Sequence, residues 1–312
     1  MTQYTPTELA DKLKDGLLSF PVTAFDAQMQ VDEDTYRKHL DWQSSFDVAG
    51  LFAAGGTGEG FSLTAEESLN VVRMAVEEAG DRVPVLASAG GSTAQAIENA
   101  RNAQEAGAEG LLLLPPYLTE CDQEGLYQHA SAVARATDVG IIVYNRANAV
   151  YSADTVARLA DEHENFIGFK DAIGDIEHNT KVYAKNGDRL FYLGGLPTAE
   201  TFALPLLQLG MSTYSSAMYN FAPEFALEFY KDVRNLDRAA VNEKLNRFVL
   251  PYIEIRDRVK GYGVSIVKGG MKAIGRDCGS VRTPLQDMTE SDLSDLAALI
   301  KTAGVVPAGA SI

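Results

Sequence analysis

Gly110-Leu111-Leu112-Leu113-Leu114-Pro115-Pro116-Tyr117 is the stretch that decides the fold. A strand with one wet face alternates apolar and polar residues. A run with no polar position fits a strand buried on both faces, as in a parallel sheet covered by helices. Immediately before it, Ser92 or Thr93 is placed to cap a helix that runs to Ala106, and Gly107 ends that helix. The next apolar run, Gly140–Tyr144, repeats the pattern. Similar runs at Leu17–Thr23, Gly50–Ala54, Val83–Ala87, Phe166–Lys170, Leu190–Leu193 and Met211–Ser215 bring the candidate strands to eight. They recur about every 28 residues, enough for a strand, a helix and two short loops.

The intervening segments carry helix signals. Thr64-Ala65-Glu66-Glu67 is a capping box, Ser152 opens a helix over Ala153–Glu162, and Asp175 precedes one that stops at Asn186-Gly187. Eight strand–helix units predict an α/β fold, a (β/α)8 TIM barrel. A doubly wound open sheet is the alternative. It usually places a glycine-rich phosphate loop after its first strand, where this chain has Ala24-Phe25-Asp26-Ala27. The barrel is expected to span 1–222. The last barrel helix and a C-terminal helical extension are expected over 223–312, with helices at Pro223–Asn235, Ala239–Lys260, Val264–Ile274 and Asp292–Ala303. The tail Gly304–Ile312 reads as unpacked.

The chain has 312 residues and a formal net charge of −16, which disfavours nucleic acid and anionic membrane surfaces as partners. The segment Met1–Lys14 lacks an apolar signal core, and no run of 18 apolar residues occurs, so a cytoplasmic protein is expected. The cysteines Cys121 and Cys278 have no CxxC spacing and read as buried, inert thiols. His39, His129, His163 and His178 fall in predicted helices or at their ends and read as surface residues. No pattern with metal-ligand spacing appears, so no metal site is expected.

Barrel enzymes work at the C-terminal ends of their strands. Those ends here carry Gly55-Gly56-Thr57-Gly58-Glu59, Pro115-Pro116-Tyr117, Tyr144-Asn145-Arg146, Lys170-Asp171, Gly194-Gly195 and Ser215-Ser216. Lys170 ends the apolar run Phe166–Phe169, where desolvation favours the neutral amine, a nucleophile for ketones. The alternative is a strand-end lysine reaching back to water. Tyr144 ends another apolar strand and can pass protons at a carbonyl, unless it is simply a buried tyrosine. The glycine-rich segment can aim backbone N–H groups at a carboxylate, or be a plain turn. It lacks the Gly-Lys-Ser/Thr ending of a P-loop.

These motifs resemble those of the dihydrodipicolinate synthase and N-acetylneuraminate lyase superfamily of imine-forming barrels. The resemblance rests on Gly55-Gly56-Thr57-Gly58-Glu59, Tyr144-Asn145 and Gly168-Phe169-Lys170-Asp171, in that order, and covers roughly Leu17–Ile300. The chain departs from the dihydrodipicolinate synthase pattern at three places. Gly56 stands where the first of two threonines is usual, Ala149 at a carboxylate-binding arginine position, and Leu118 at the second of paired tyrosines.

Leu51-Phe52-Ala53-Ala54-Gly55-Gly56-Thr57-Gly58-Glu59, Leu112–Tyr117, Ile142-Val143-Tyr144-Asn145-Arg146, Tyr192–Glu200, Thr213–Ala217 and Gly261–Lys268 look instead like 5-dehydro-4-deoxyglucarate dehydratases. That resemblance implies a decarboxylating dehydratase acting on a keto-diacid, with no metal or organic cofactor, and a homotetramer. It implies that Lys170 forms the imine and that Tyr144 relays protons with Thr57. Gly56, Thr57 and Gly58 would cradle the keto-side carboxylate. Gly194, Ser215 and Ser216 would bind the hydroxylated middle, and Arg146 the distal carboxylate, unless Arg146 is paired structurally. A keto sugar acid aldolase, a dihydrodipicolinate synthase and a keto-acid sensor on the same barrel remain as alternatives.

Overall fold

The computed structural model describes residues 2–117 and 120–308. Leu118, one of the departures noted above, lies outside the described residues. Eight strands follow one another: β1 (Leu18–Ser19), β2 (Gly50–Phe52), β3 (Val85–Gly91), β4 (Gly110–Pro116), β5 (Gly140–Asn145), β6 (Phe166–Asp171), β7 (Phe191–Gly194) and β8 (Thr213–Tyr214). Each pairs in parallel with the next, and a bridge between Leu18 and Ser215 closes the ring. The helices are α1 (Pro6–Lys14), α2 (Glu33–Ser44), α3 (Ala65–Ala79), α4 (Thr93–Glu105), α5 (Gln123–Ala134), α6 (Ala153–Glu162), α7 (Ile176–Asn186), α8 (Glu200–Leu209) and α9 (Pro223–Arg234). Beyond them lie α10 (Arg238–Lys244), α11 (Leu250–Arg256), α12 (Tyr262–Ala273) and α13 (Glu290–Thr302). The fold is the (β/α)8 barrel with a C-terminal helical extension.

The caps read from sequence form. Thr64 with Glu67 and Ser92 with Gln95 make capping boxes, and Ser152 and Asp175 accept from the third N–H of their helices. Within β4, alternate leucines divide between two cores. Leu112 joins Leu18, Phe52, Leu86, Ile142 and Leu193 inside the barrel. Leu111 and Leu113 face the surrounding helices.

One helix went unread in the sequence. α1 is capped by Thr5 and Glu8 and buries Leu9 and Leu13 under the N-terminal end of the barrel. A Cβ on Gly50 would lie 2.5 Å from Leu13 Cδ2, and one on Gly110 would lie 2.8 Å from Leu9 Cδ2. The glycines that begin β2 and β4 therefore make room for this plug.

Several expectations are corrected. The stretch Leu17–Thr23 pairs only over Leu18–Ser19. Pro21 has no N–H to donate, and the Asn220 amide takes both Phe20 O and the Val22 N–H. The helix expected over Ala239–Lys260 is interrupted by a π-turn at Leu245–Val249, just before Pro251, which cannot donate to the preceding turn.

His39 and His129 are buried, at 3% and 6% exposure, not at the surface. His39 lies on the inward stripe of α2 with Tyr36, Leu40 and Gln43, and Nδ1 of His129 lies 2.9 Å from Thr93 Oγ1. His163 and His178 are half-buried. Cys278 is buried as expected, but Cys121 is exposed on the loop before α5. Of the tail read as unpacked, Val305 is buried and the Ala308 N–H donates to Glu224; residues 309–312 lie outside the described residues. Among the described residues no helix is long and apolar enough to cross a membrane.

Candidate active site

Lys170 and Tyr144 end neighbouring strands and are paired in register. Lys170 is 5% exposed. Its Nζ lies 3.9 Å from the centre of the Phe20 ring and 4.6 Å from that of Tyr144. Among the described residues it has neither a hydrogen bond nor a carboxylate partner. Burial, and then the charge of Arg146, pull its pKa down from the usual lysine range to about 7. An amine in this setting is substantially neutral at physiological pH, which is what attack on a carbonyl needs.

The strand ends that carry these two residues are locked together. Asn145 and Asp171, one residue further along each strand, are joined by a 2.8 Å hydrogen bond from Asn145 Nδ2. Asp171 also accepts from the N–H groups of Ile173 and Gly174 and from Asn179 Nδ2, and Asn145 Oδ1 accepts the Tyr151 N–H. Four donors satisfy the buried Asp171 carboxylate, so it serves as an anchor and is not a counter-ion for Lys170.

The Tyr144 hydroxyl accepts from Arg146 Nη1 at 3.1 Å and points to Gly195 O at 3.5 Å. No hydrogen bond joins it to Thr57, so the expected relay between them is not made in this state. Arg146 is exposed, follows β5 on a tight turn closed by mutual hydrogen bonds with Ala149, and has no carboxylate partner among the described residues. Its structural-pairing alternative therefore finds no acid here.

The glycine-rich loop follows β2. Among the described residues, the N–H groups of Gly56 and Thr57 and the Thr57 hydroxyl have no hydrogen-bond partner, and a side chain on Gly56 would enter open space. Free donors on an open loop at the barrel mouth suit a carboxylate. Gly58 has a packing role instead: a Cβ there would lie 2.8 Å from Pro21 O, and its carbonyl accepts from Thr23 Oγ1 at 2.6 Å. The loop carries left-handed backbone at Ala54 and Glu59, neither of them glycine.

The remaining expected residues separate. A Cβ on Gly194 would strike Met211 Sδ, on the helix side of the sheet, whereas one on Gly195 would lie 2.5 Å from Lys170 Cε. Gly195, not Gly194, is the glycine against the lysine. The Ser216 hydroxyl bonds the buried Glu200 at 2.5 Å behind the barrel wall. Ser215 alternates with it along the chain and is half-buried.

Phe20 was not singled out from sequence. Asn145, Asp171 and Gly195 stood in the strand-end motifs without a role of their own. Among the described residues no group of three or more His, Cys, Asp or Glu is arranged to hold a metal ion.

The chain is similar over nearly its whole length to proteins of known sequence and structure. A chain from Pseudarthrobacter chlorophenolicus named "Probable 5-dehydro-4-deoxyglucarate dehydratase" is 74% identical over 97% of this chain and 99% of its own. One of the same name from Corynebacterium glutamicum is 64% identical over 97% of this chain and 96% of its own. The crystal structure of dihydrodipicolinate synthase from Bacillus clausii superposes with a TM-score of 0.86 at 25% identity, covering 94% of this chain and 98% of that one. The sequence profile of the Dihydrodipicolinate synthetase family matches residues 13–303. With nearly the whole chain matched, the protein belongs to the dihydrodipicolinate synthetase family.

Proposed function

We propose that this chain is a decarboxylating dehydratase that converts 5-dehydro-4-deoxy-D-glucarate to 2,5-dioxopentanoate, water and carbon dioxide. The observation that carries the chemistry is Lys170: a buried amine with lowered basicity, at the barrel end, which among the described residues has no counter-ion. The substrate assignment rests on the named relatives, 58–74% identical over nearly the whole chain.

In this reading the Gly56 and Thr57 N–H groups and the Thr57 hydroxyl hold the carboxylate next to the ketone. The Lys170 amine attacks the keto carbon, and loss of water leaves a protonated imine. That cation acidifies the adjacent CH2. Removal of its proton gives an enamine, which expels the β-hydroxyl as water. The resulting conjugated iminium accepts the electron pair released when the far carboxylate leaves as carbon dioxide. The enol left behind becomes the aldehyde, and hydrolysis frees Lys170.

Tyr144 moves protons at the carbinolamine oxygen as it departs as water, with Arg146 donating to the Tyr144 hydroxyl oxygen so that the phenolic hydrogen is left to act. Ser215 is the hydroxyl left to meet the middle of the substrate. Arg146 receives the distal carboxylate. An exposed arginine on a flexible stem forms a weak, water-screened pair, which orients that carboxylate without holding it back from leaving. A homotetramer would cover exposed Ile173, Ile176 and Phe202; sedimentation at four times the 33.7 kDa chain mass would test it.

The test is incubation of the purified protein with 5-dehydro-4-deoxyglucarate, following carbon dioxide and the mass of the product. Stoichiometric carbon dioxide with a five-carbon dioxo acid is expected. Pyruvate without carbon dioxide would mean an aldolase and overturn the reading.

A further inference from the structure

We propose that Phe20 is a catalytic residue whose ring face stabilises the positive charge that the Lys170 nitrogen acquires in the imine. This inference rests on Lys170 forming an imine with a keto acid.

Of the two rings that face the nitrogen, that of Phe20 is the nearer, at 3.9 Å from centroid to Nζ against 4.6 Å for Tyr144, and no carboxylate pairs with that nitrogen among the described residues. The neutral amine forms a C–N bond while the carbonyl π pair moves to oxygen. With one proton passed to it from the nitrogen and one taken up, that oxygen departs as water and the nitrogen is left doubly bonded and cationic. A buried cation needs compensation. A carboxylate would supply it, but would equally hold the free lysine as an ammonium ion that cannot attack. A ring face is a weaker partner. It supports the cation while burial still dominates the free amine and keeps it available.

The ring is packed on one face and along one edge. It stacks on Phe52 with centroids 4.5 Å apart at 16°, and Gly55 leaves room for its edge. The backbone that carries it is gripped by the buried Asn220 amide. Its Nδ2 donates to Phe20 O at 3.0 Å, and its Oδ1 accepts from the Val22 N–H at 3.0 Å. His39 Nε2 lies 3.0 Å from the same Oδ1, and burial pushes its pKa down to about 4. The neutral ring can therefore donate there and fix which way the amide faces. A mobile apolar side chain would fill the same space; this one is oriented.

The test replaces Phe20 by mono-, di- and trifluorophenylalanine, which keep the ring nearly the same size while weakening its negative face stepwise. Each protein is incubated with pyruvate and reduced with borohydride, and the adduct on Lys170 is quantified by peptide mass. The pyruvate concentration for half-maximal trapping should rise with each fluorine, by roughly 3- to 30-fold across the series, the range of a desolvated cation on an aromatic face. Phe20→Leu, which fills the space without a π face, should fall at the far end. A flat fluorine series with normal trapping in the unsubstituted protein overturns the role of Phe20 alone. No Lys170 adduct in the unsubstituted protein overturns the imine reading, and this inference with it.

Discussion

Lys268 Nζ lies 2.7 Å from Glu59 Oε1, with the two side chains 3% and 0% exposed. This ion pair joins α12 of the C-terminal extension to the glycine-rich loop. Glu59 has left-handed backbone, and its other oxygen accepts the Arg282 N–H at 2.9 Å. Lys268 also donates to Ser280 O and lies over Phe25. The extension thus holds the loop in a conformation that its own residues disfavour.

Breaking a buried pair strands a charge, at roughly 3–5 kcal/mol. Lys268→Met should therefore lower unfolding stability by about that amount and raise KM more than it lowers kcat. Adding Glu59→Gln should recover part of the stability loss. Urea unfolding of the four proteins checks this; strictly additive effects would rule out the coupling.

Arg146 is the second cause of the low Lys170 pKa, after burial. Removing its charge should let that pKa rise from about 7. Since the neutral amine attacks, the acid limb of kcat/KM for Arg146→Met should move to higher pH. The pH–rate profile of the variant reads this directly, and an unmoved limb would contradict it.

Tyr144→Phe removes the hydroxyl that meets Arg146 and Gly195 O while leaving the ring beside Lys170. Turnover should fall by roughly 10²–10⁴, the usual contribution of a positioned acid–base group. Single-turnover imine formation is the measurement, and an unchanged rate would remove Tyr144 from proton transfer.

Lys170→Met should abolish turnover and make the protein more stable. The native pKa of Lys170, about 7, lies below that of the unfolded chain, near 10.5. Below about pH 7 the native lysine is charged and buried, so its cost is fully present. Between about pH 7 and 10.5 the unfolded chain still binds the proton and the native one does not, so the cost fades. The variant's advantage in Tm should be largest at pH 6 and shrink toward pH 10. A constant advantage across that range would contradict the shift.

What the sequence determined by itself was local. Continuous apolar runs, capping boxes at Thr64 and Ser92, and regular spacing specify strand and helix order, because period and caps act over a few residues. A lysine ending the apolar run Phe166–Phe169 is legible for the same reason. α1 escaped because only Leu9 and Leu13 face inward on an otherwise polar helix. His39 escaped because a polar residue on an inward stripe reads as surface until its partner is known.

Tertiary structure alone decided what surrounds Lys170. Phe20 is oriented by Asn220, 200 residues away, and Glu59 is held by a lysine on α12. Gly195 rather than Gly194 meets the lysine stem, and Ser216 turns to Glu200. The pKa of a buried amine depends on which charges and rings closure of the barrel brings within a few ångströms, and no local period carries that information.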